Sequence, residues 1–433
     1  MKRLLVLGAF VVLAVPAAAY AHATLKSVFP GYMADLAQSP RDVELHFDQV
    51  VQFPAVEVFD TKGRHYELTT TAHGIDVVAG VKHLPAGDYT IRWHALSADG
   101  HVVSGVWTFG VRMKALPPTE AFGASGPTRT EDVVRWLYFV ALALVIGSLG
   151  FRLLCLRGLA VPPRVEKRLY AIAAIGVVGV LELGILAFCL RCADVLQLPF
   201  GKFLYGDLSP ISAATRFGKA FIVMTLAFAI VAALLYLAWL TDRTRLLVPA
   251  FLIAVGFAAG LSLSGHDAVD PGSSKWSELA DWVHLTAASL WIGGLVSLAA
   301  GVWLVAPEFR RVAFARFSRM ATVLIALVLA AGTYLSIVRL PRLHDLWTTG
   351  YGQTLLVKIA LVAVVLAWGA LHHFVIRPAL DRASDGFLTR VGRSLAGESA
   401  VAVAVLLLAA ILTNSKPPPR PAPTTTAAAA IGR

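Results

Sequence analysis

Residues 89–111 read YTIRWHALSADGHVVSGVWTFGV, two runs of alternating apolar and polar side chains joined by an Asp99–Gly100 pair. Alternation with a period of two predicts extended strands that each bury one face. Similar runs occur at Val43–Phe47 and Val56–Phe59, and residues that favour tight turns separate these runs. Repeated short strands with close turn signals predict that residues 22–113 form a small all-β sandwich or barrel.

The chain begins with the features of a secretory signal peptide in residues 1–21. Two basic residues precede an apolar run over Leu4–Ala18, and Ala19–Ala21 then form a small-residue cleavage site. We therefore predict that cleavage leaves His22 as the mature N-terminus. Its free α-amine and its imidazole ring can chelate one metal ion, because metal binding displaces the proton of a weakly basic amine.

Asp99 and His101 are predicted to complete a metal site with His22. They flank Gly100, and residues two apart in an extended segment point to the same side. Imidazole and amine nitrogens together with one carboxylate favour Cu(II) among the divalent first-row metals. The alternative interpretation is that Asp99–Gly100 forms a hairpin turn and that His101 merely lies beside it.

The composition is that of a membrane protein, with a mean hydropathy of +0.69 and only 15% charged residues. The net charge of +11 does not indicate a nucleic-acid partner, because residues 22–113 are acidic overall and the basic surplus lies in loops between apolar runs. The chain has 3 cysteines and none lies in residues 22–113, so this domain is predicted to fold without an internal disulfide.

Residues 131–414 are predicted to form an all-α polytopic membrane domain. About eight apolar runs are long enough to cross a bilayer, at 133–155, 168–190, 217–240, 246–264, 279–305, 318–338, 354–375 and 396–413. The preceding segment, 114–130, is rich in Pro and Gly and is predicted to be a linker. Residues 415–433 have low complexity and are predicted to form a disordered tail.

Lys and Arg residues concentrate in the connections that the signal peptide places inside, as the positive-inside rule requires. The chain is therefore expected to lie as a multi-pass protein in a bacterial-type cytoplasmic (inner) membrane, in contact with membrane lipid. The N-terminal domain and the C-terminal tail are expected on the outer, periplasmic or extracellular, side.

Ionisable side chains inside apolar spans are costly and are often functional. His266 ends one predicted span, and Asp281 and His284, one helical turn apart, begin the next, all toward the predicted outer side. They are candidates for a metal path, although acidic residues at this position can also cap a helix N-terminus. Cys189 and Cys192 form a C-x-x-C pair, which suits either Cu(I) or a disulfide.

Three further ionisable residues lie near the predicted inner side of the membrane. His372 and His373 are close to the inner end of one predicted span, and Glu398 begins the last one. The two histidines fit an exit site for the metal, and they fit placement at the membrane interface equally well.

Several motifs of the N-terminal domain occur together, namely His22, Leu25–Pro30, Leu45–Phe47, Leu84–Tyr89 and Ser97–His101 leading to Gly105 and Phe109. With these motifs, residues 22–113 resemble the CopC family of periplasmic copper-binding proteins. The resemblance implies a β-barrel of Greek-key type that binds Cu(II) through His22, Asp99 and His101.

A second set of motifs lies in the membrane part, at Asp281–His284, Trp291–Gly294, Ser264–His266, Arg316–Ser318, Gly218–Lys219 and Lys358. With these motifs, residues 131–413 resemble the CopD family of copper-transport membrane proteins. The resemblance implies copper passage across the membrane. The glycines of Trp291–Gly294 also predict close contact between helices.

We expect a copper-binding membrane protein that captures Cu(II) outside the membrane and passes copper to the transmembrane helices for uptake or homeostasis. One alternative is copper resistance through periplasmic sequestration, with the membrane part as an anchor. A second is a haem-binding redox membrane protein, with His266 and His284 as the plausible ligand pair.

The chain is not expected to be an enzyme. It contains no Walker A motif, so ATP is not expected to be the energy source within this chain, and no reductase motif is recognised. Copper itself is the expected ligand, as Cu(II) in the N-terminal domain and as Cu(I) wherever thiols receive it in the membrane domain. A periplasmic copper chaperone or reductase is the candidate protein partner.

Overall fold

The chain forms a region of strands followed by a region of helices. The computed structural model describes residues 23, 25–97, 102–116, 129–196, 216–258, 274–379, 385–415 and 418. The strand region ends at Val111 and the helical region begins at Arg129, so the two predicted folds occur in the predicted order.

The strands of the N-terminal domain are short and closely spaced. The structure describes β1 (Leu25–Phe29), β2 (Ala34–Leu36), β3 (Asp42–Phe47), β4 (Val51–Asp60), β5 (His65–Tyr66), β6 (Leu68–His73), β7 (Asp76–Val81), β8 (Gly87–Ser97) and β9 (Val102–Val111). They form two sheets, one with the strand order β1-β3-β7-β6 and the other with the order β2-β9-β8-β4-β5.

The two sheets share one apolar core, to which both contribute alternate side chains. Along β3, for example, Val43, Leu45 and Phe47 are buried, whereas Glu44 and His46 are exposed. This alternation places one face of each sheet in the core and the other in solvent. The prediction of an all-β sandwich or barrel is therefore confirmed, and the two sheets form a sandwich.

Two buried aromatic side chains of the core donate hydrogen bonds to backbone carbonyls in the loops. Trp107 Nε1 donates a hydrogen bond of 3.0 Å to the carbonyl of Pro30. Tyr89 Oη donates one of 2.9 Å to the carbonyl of Pro85, and its ring stacks on Phe109 at a centroid distance of 5.5 Å. Burial raises the pKa of Tyr89 to about 12, because its phenolate would lose hydration in the core.

The packing of the β domain continues a few residues past its last strand. The amide of Ala115 donates a hydrogen bond of 2.8 Å to Asp35, and the amide of Leu116 donates one of 3.0 Å to Asp88. Burial raises the pKa of Asp88, although its hydrogen bond from Leu116 works in the opposite direction. Ala115 and Leu116, which were predicted to belong to the linker, are thus hydrogen-bonded to the sandwich.

Long helices form the membrane part. We label them α1 (Arg129–Gly150), α2 (Pro163–Leu196), α3 (Arg216–Thr241), α4 (Leu247–Phe257), α5 (Lys275–Val296), α6 (Arg310–Arg339), α7 (Gly350–Leu371) and α8 (Asp385–Asn414). Three of them continue as π-helical segments: α1 into Phe151–Cys155, α5 into Ser297–Trp303 and α7 into His372–Ile376.

Within the described ranges, 7 helical segments are long and apolar enough to cross a membrane: Arg129–Cys155, Pro163–Leu190, Lys219–Thr241, Lys275–Trp303, Pro307–Arg339, Gly350–Ala379 and Gly386–Asn414. Each overlaps one predicted span. The remaining predicted span, 246–264, is described only in part, as the shorter apolar helix Thr244–Phe257. The polytopic helical domain is confirmed, and the count of eight depends on residues outside the described set.

The helical bundle closes through contacts between its first, fifth and last helices. A side chain on Gly293 of α5 would place its Cβ only 1.7 Å from the carbonyl oxygen of Ala143 in α1, so the two backbones touch. The last helix packs back onto the first, since Asn414 donates a hydrogen bond of 2.7 Å to the buried carboxylate of Asp132. The expected close helix contact at Trp291–Gly294 is present.

Candidate functional site

The predicted Cu(II) ligands His22, Asp99 and His101 lie outside the described residues. The structure does fix the strands on either side of them. β8 and β9 are antiparallel neighbours, and the last pair before the connecting loop is Leu96 with Val102. The segment that contains Asp99 and His101 therefore joins adjacent strands at one end of the sandwich.

The strand that follows His22 begins at this same end. Leu25 of β1 pairs with Phe47, which is the last residue of β3. The chain then enters β4, whose first residue, Val51, pairs with Ser97 at the end of β8. Strand pairing thus brings Leu25, Phe47, Val51 and Ser97 together at the end where β8 leads into the loop.

Ala23 is anchored in the core at this end of the sandwich. It is only 1% exposed and belongs to the same apolar cluster as Phe47, Trp93 and Val103. The rings of Phe47 and Trp93 meet edge to face, with 5.3 Å between their centroids. The described residues adjacent to all three predicted ligands therefore converge on one end of the domain.

The other histidines of this domain lie on its surface. The described ones are His46, His65, His73, His83 and His94, and all are exposed. His46 Nδ1 lies 2.5 Å from Asp76 Oδ1, which is a cross-strand surface pair. Among the described residues of the whole chain, no three His, Cys, Asp or Glu side chains are placed to share one metal ion.

In the membrane part, His284 has the hydrogen bonding of a metal ligand. Its Nδ1 is 3.0 Å from the carbonyl oxygen of Val328 in α6, and a carbonyl only accepts, so Nδ1 carries the proton. Nε2 then has a free lone pair, and no described residue donates a hydrogen bond to it. A ring N–H that is oriented by a backbone carbonyl is the usual support for a histidine that binds metal through its other nitrogen.

The ring of His284 fits against α6 because residue 332 is glycine. A Cβ at Gly332 would lie 2.9 Å from His284 Cε1, which is closer than ordinary contact. A larger residue there would push the ring away from the carbonyl of Val328.

Asp281 meets cations, which limits its predicted role as a metal ligand. Its Oδ1 lies 3.5 Å from an Nη atom of Arg339, with about a quarter of each side chain exposed. Lys358 of α7 lies within electrostatic range of both Asp281 and Arg339. An incoming copper ion would have to compete with two positive side chains for this carboxylate, so His284 is the better placed of the two donors.

The remaining predicted membrane ligands are only partly described. His266 lies outside the described residues, and so does the side chain of Cys192. Cys189 is buried near the end of the span in α2, and no disulfide is formed by it within the described part of the chain. Whether the C-x-x-C pair binds Cu(I) or forms a disulfide therefore stays a prediction.

A buried ionisable network lies at the opposite end of the bundle, where the sequence indicated only separate residues. His372 Nδ1 is 2.7 Å from Glu398 Oε2, and the two residues are 5% and 3% exposed. His372 Nε2 is 2.8 Å from the hydroxyl of Ser394, which also accepts a hydrogen bond of 2.8 Å from Trp368 Nε1. We call these four residues the His372 network.

Two features of the local backbone lie beside this network. His372 is the first residue of the π-helical segment that follows α7, and such segments are frequent at functional sites. Gly369 lies one turn earlier, and a Cβ there would come within 3.3 Å of Glu398 Oε1. The sequence did contain a signal for this pairing, because His372 and Glu398 lie at similar distances from the same predicted inner connection.

Comparison with protein families divides the chain at the same places as the structure. Residues 25–112 match the CopC domain. Residues 131–276 match the N-terminal domain of proteins like copper resistance protein D, and residues 311–412 match copper resistance protein D itself. The β domain and the helical domain therefore each have their own family match.

Individual relatives differ in how much of the chain they cover. The chain is 28% identical over 422 residues to the copper transport protein CutJ of Bacillus subtilis (strain 168), covering 90% of this chain and 73% of that protein. It is 34% identical over 115 residues to copper resistance protein C of Escherichia coli, covering 23% of this chain and 90% of that protein. The crystal structure of CopC from Methylosinus trichosporium OB3b matches with 25% identity and a TM-score of 0.20, covering 21% of this chain and 93% of that one.

Proposed function

Because the chain belongs to the CopC and CopD families, as a fusion of a CopC domain with a CopD-type membrane domain, we propose that it binds copper in its β domain and passes it to the membrane helices. Relatives that match this chain are named for copper transport or copper resistance. These names support a role of this chain in copper transport or homeostasis. It is a multi-pass membrane protein.

The observation that carries the proposal is the convergence of chain segments at one end of the sandwich. Ala23 is buried there, and β8 and β9 meet there, so the residues next to His22, Asp99 and His101 share one location. An amine, two imidazoles and a carboxylate at that location suit Cu(II). Signal-peptide cleavage before His22 supplies the amine.

The membrane helices then receive copper from the β domain on the proposed outer side. His284 offers an unprotonated Nε2 inside a span, which is a costly arrangement for a helix that serves only as an anchor. Thiol ligands, if they take part, require Cu(I), so a periplasmic reductase would supply one electron to each Cu(II) ion before transfer, and a periplasmic copper chaperone is a candidate partner for delivery. We assign binding and transport to the chain, and no catalysis.

A haem-binding role is less well supported by the geometry of the described histidines. Both ring nitrogens of His372 are engaged, by Glu398 and by Ser394, and Nδ1 of His373 is 2.8 Å from the hydroxyl of Ser318. His284 differs from His372 in this respect, because the one hydrogen bond of its ring among the described residues is from Nδ1 to the carbonyl oxygen of Val328. The visible spectrum of the purified protein tests this directly, since a Soret band would show haem.

Uptake of radioactive copper by cells with and without the gene tests the proposed function. Transport predicts that loss of the gene, or the substitution His284→Gln, lowers copper accumulation. Sequestration for resistance predicts unchanged accumulation together with greater sensitivity to copper. A variant with exposed His94 changed to Gln is the matched control, because that ring lies on the solvent face of β8.

A further inference from the structure

The His372 network is a buried ionisable site that the copper path described above does not use. Glu398 is 3% exposed, inside a span, and its Oε2 lies 2.7 Å from His372 Nδ1. Although these atoms are in contact, their approach is not aligned for a hydrogen bond, and no other described residue donates to Oε2. A buried carboxylate oxygen without an aligned donor is costly and needs a proton or a cation.

A proton fits this site better than a metal ion does. Metal sites usually need three or more protein ligands, and the described residues around His372 provide only one imidazole and one carboxylate. The second ring nitrogen faces Ser394, a hydroxyl that is a poor ligand for copper. With one proton shared between them, the imidazole and the carboxylate form a pair without net charge, which is the state that a low-dielectric interior favours.

Among the described residues, no other charged side chain forms an ion pair with His372 or Glu398. From α6 the ring of His372 meets the edge of Phe314, with 6.0 Å between centroids, and from α7 the network includes Trp368. From α8 it meets Ser394. Among the described residues, no Lys or Arg forms an ion pair with Glu398, and the neighbouring Arg390 and Arg393 are exposed.

The other titratable group near the pair is turned elsewhere. His373 follows His372 in the π-helical segment, and its Nδ1 lies 2.8 Å from the hydroxyl of Ser318 in α6. Among the described residues, the imidazole of His373 therefore takes no part in the contact between His372 and Glu398.

We propose that His372 and Glu398 form a proton-exchange site coupled to copper passage, an inference that rests on the proposed transport function. When a copper ion enters the bundle, its charge repels the shared proton, which leaves to water, and Glu398 remains as a carboxylate beside a neutral imidazole. When copper leaves, one proton from water returns to the pair. Copper and protons thus move in exchange, and no electron is transferred.

The test uses the full-length protein in vesicles with the membrane potential clamped, a pH-sensitive dye inside and copper of known valence outside. One proton exchanged per copper ion makes the copper accumulation ratio change about tenfold for each unit of pH difference across the membrane. Glu398→Gln and His372→Gln are expected to abolish this dependence. Glu166→Gln is the matched control, since Glu166 is a carboxylate paired with Arg152 at 2.6 Å toward the same end of the bundle.

The outcomes separate this inference from the function on which it rests. Copper entry in the wild type that is indifferent to the pH difference would overturn the proton-exchange site and leave transport intact. Retention of the full pH dependence in Glu398→Gln would overturn it as well. Absence of copper entry in the wild type would refute transport, and the inference with it. The wild-type measurement decides even if both variants fail to fold.

Discussion

The close contact between α1 and α5 predicts that the substitution Gly293→Ala destabilises the protein. The size of the loss follows from two distances. The added Cβ would lie 1.7 Å from the carbonyl oxygen of Ala143, whereas ordinary contact begins at 3.4 Å. The helices must therefore separate locally by about 1.7 Å, because the obstructing atom belongs to backbone and cannot rotate away. Overpacking of this kind typically costs about 1–3 kcal/mol, and we expect the upper end.

Two matched substitutions calibrate this expectation. A Cβ at Gly294 would lie 2.7 Å from the ring of Phe317 and 3.6 Å from Cε of Met320, and side chains can turn aside, so about 1 kcal/mol is expected for Gly294→Ala. A methyl group added at Gly256 in α4 would have no neighbouring atom within 4 Å among the described residues, so Gly256→Ala should be neutral or slightly stabilising.

Reversible unfolding of the purified protein in mixed detergent micelles, followed by tryptophan fluorescence, measures all three variants. A cost of about 3 kcal/mol for Gly293→Ala corresponds to a change of roughly 150-fold in the unfolding equilibrium. If Gly293→Ala proves as stable as Gly256→Ala, the two helices do not touch at these glycines, and the packing of α1 on α5 is wrong.

Two further predictions concern the β domain and the membrane site. Tyr89 titrates near pH 10 in the unfolded chain and at about 12 when buried, so the stability that its neutral phenol provides is present below pH 10 and is lost as the pH rises from about 10 to about 12. The free energy of unfolding, measured across that pH range, should depend less on pH in Tyr89→Phe than in the wild type. An equal pH dependence in both proteins would argue against burial of the phenol. His284→Gln should lower copper uptake at least about tenfold while Cu(II) binding by the β domain stays the same. Equal uptake by this variant and the wild type would remove His284 from the copper path.

The sequence predicted those features of the fold that depend on local pattern. A strand buried on one face needs a period of two, so Val43–Phe47 and Tyr89–Trp93 were identified within β3 and β8. A helix that crosses a bilayer needs about 20 apolar residues, so the spans were found from length alone. Strands without alternation, such as β7 at Asp76–Val81, carry no such signal.

The contacts that decide the chemistry of the membrane part could not be found in this way. Asp281 and Arg339 lie on different helices, and their ion pair depends on how α5 and α6 pack. His284 was identified as ionisable, but the carbonyl of Val328 that orients its ring is invisible in a side-chain pattern. For His372 and Glu398 the sequence indicated only that both lie near the same predicted inner connection, and their contact depends on how α7 and α8 pack.

The central claim is that a histidine at the mature N-terminus provides the amine of the Cu(II) site in the β domain. The most direct measurement compares Cu(II) affinity of the full-length protein, its first residue verified by mass spectrometry, with that of a variant carrying one alanine before His22. We predict a mature start at His22 and a loss of about a hundredfold or more on extension, because the terminal amine is moved away from the ring. An unchanged affinity, or a mature start at any other residue, would contradict this claim.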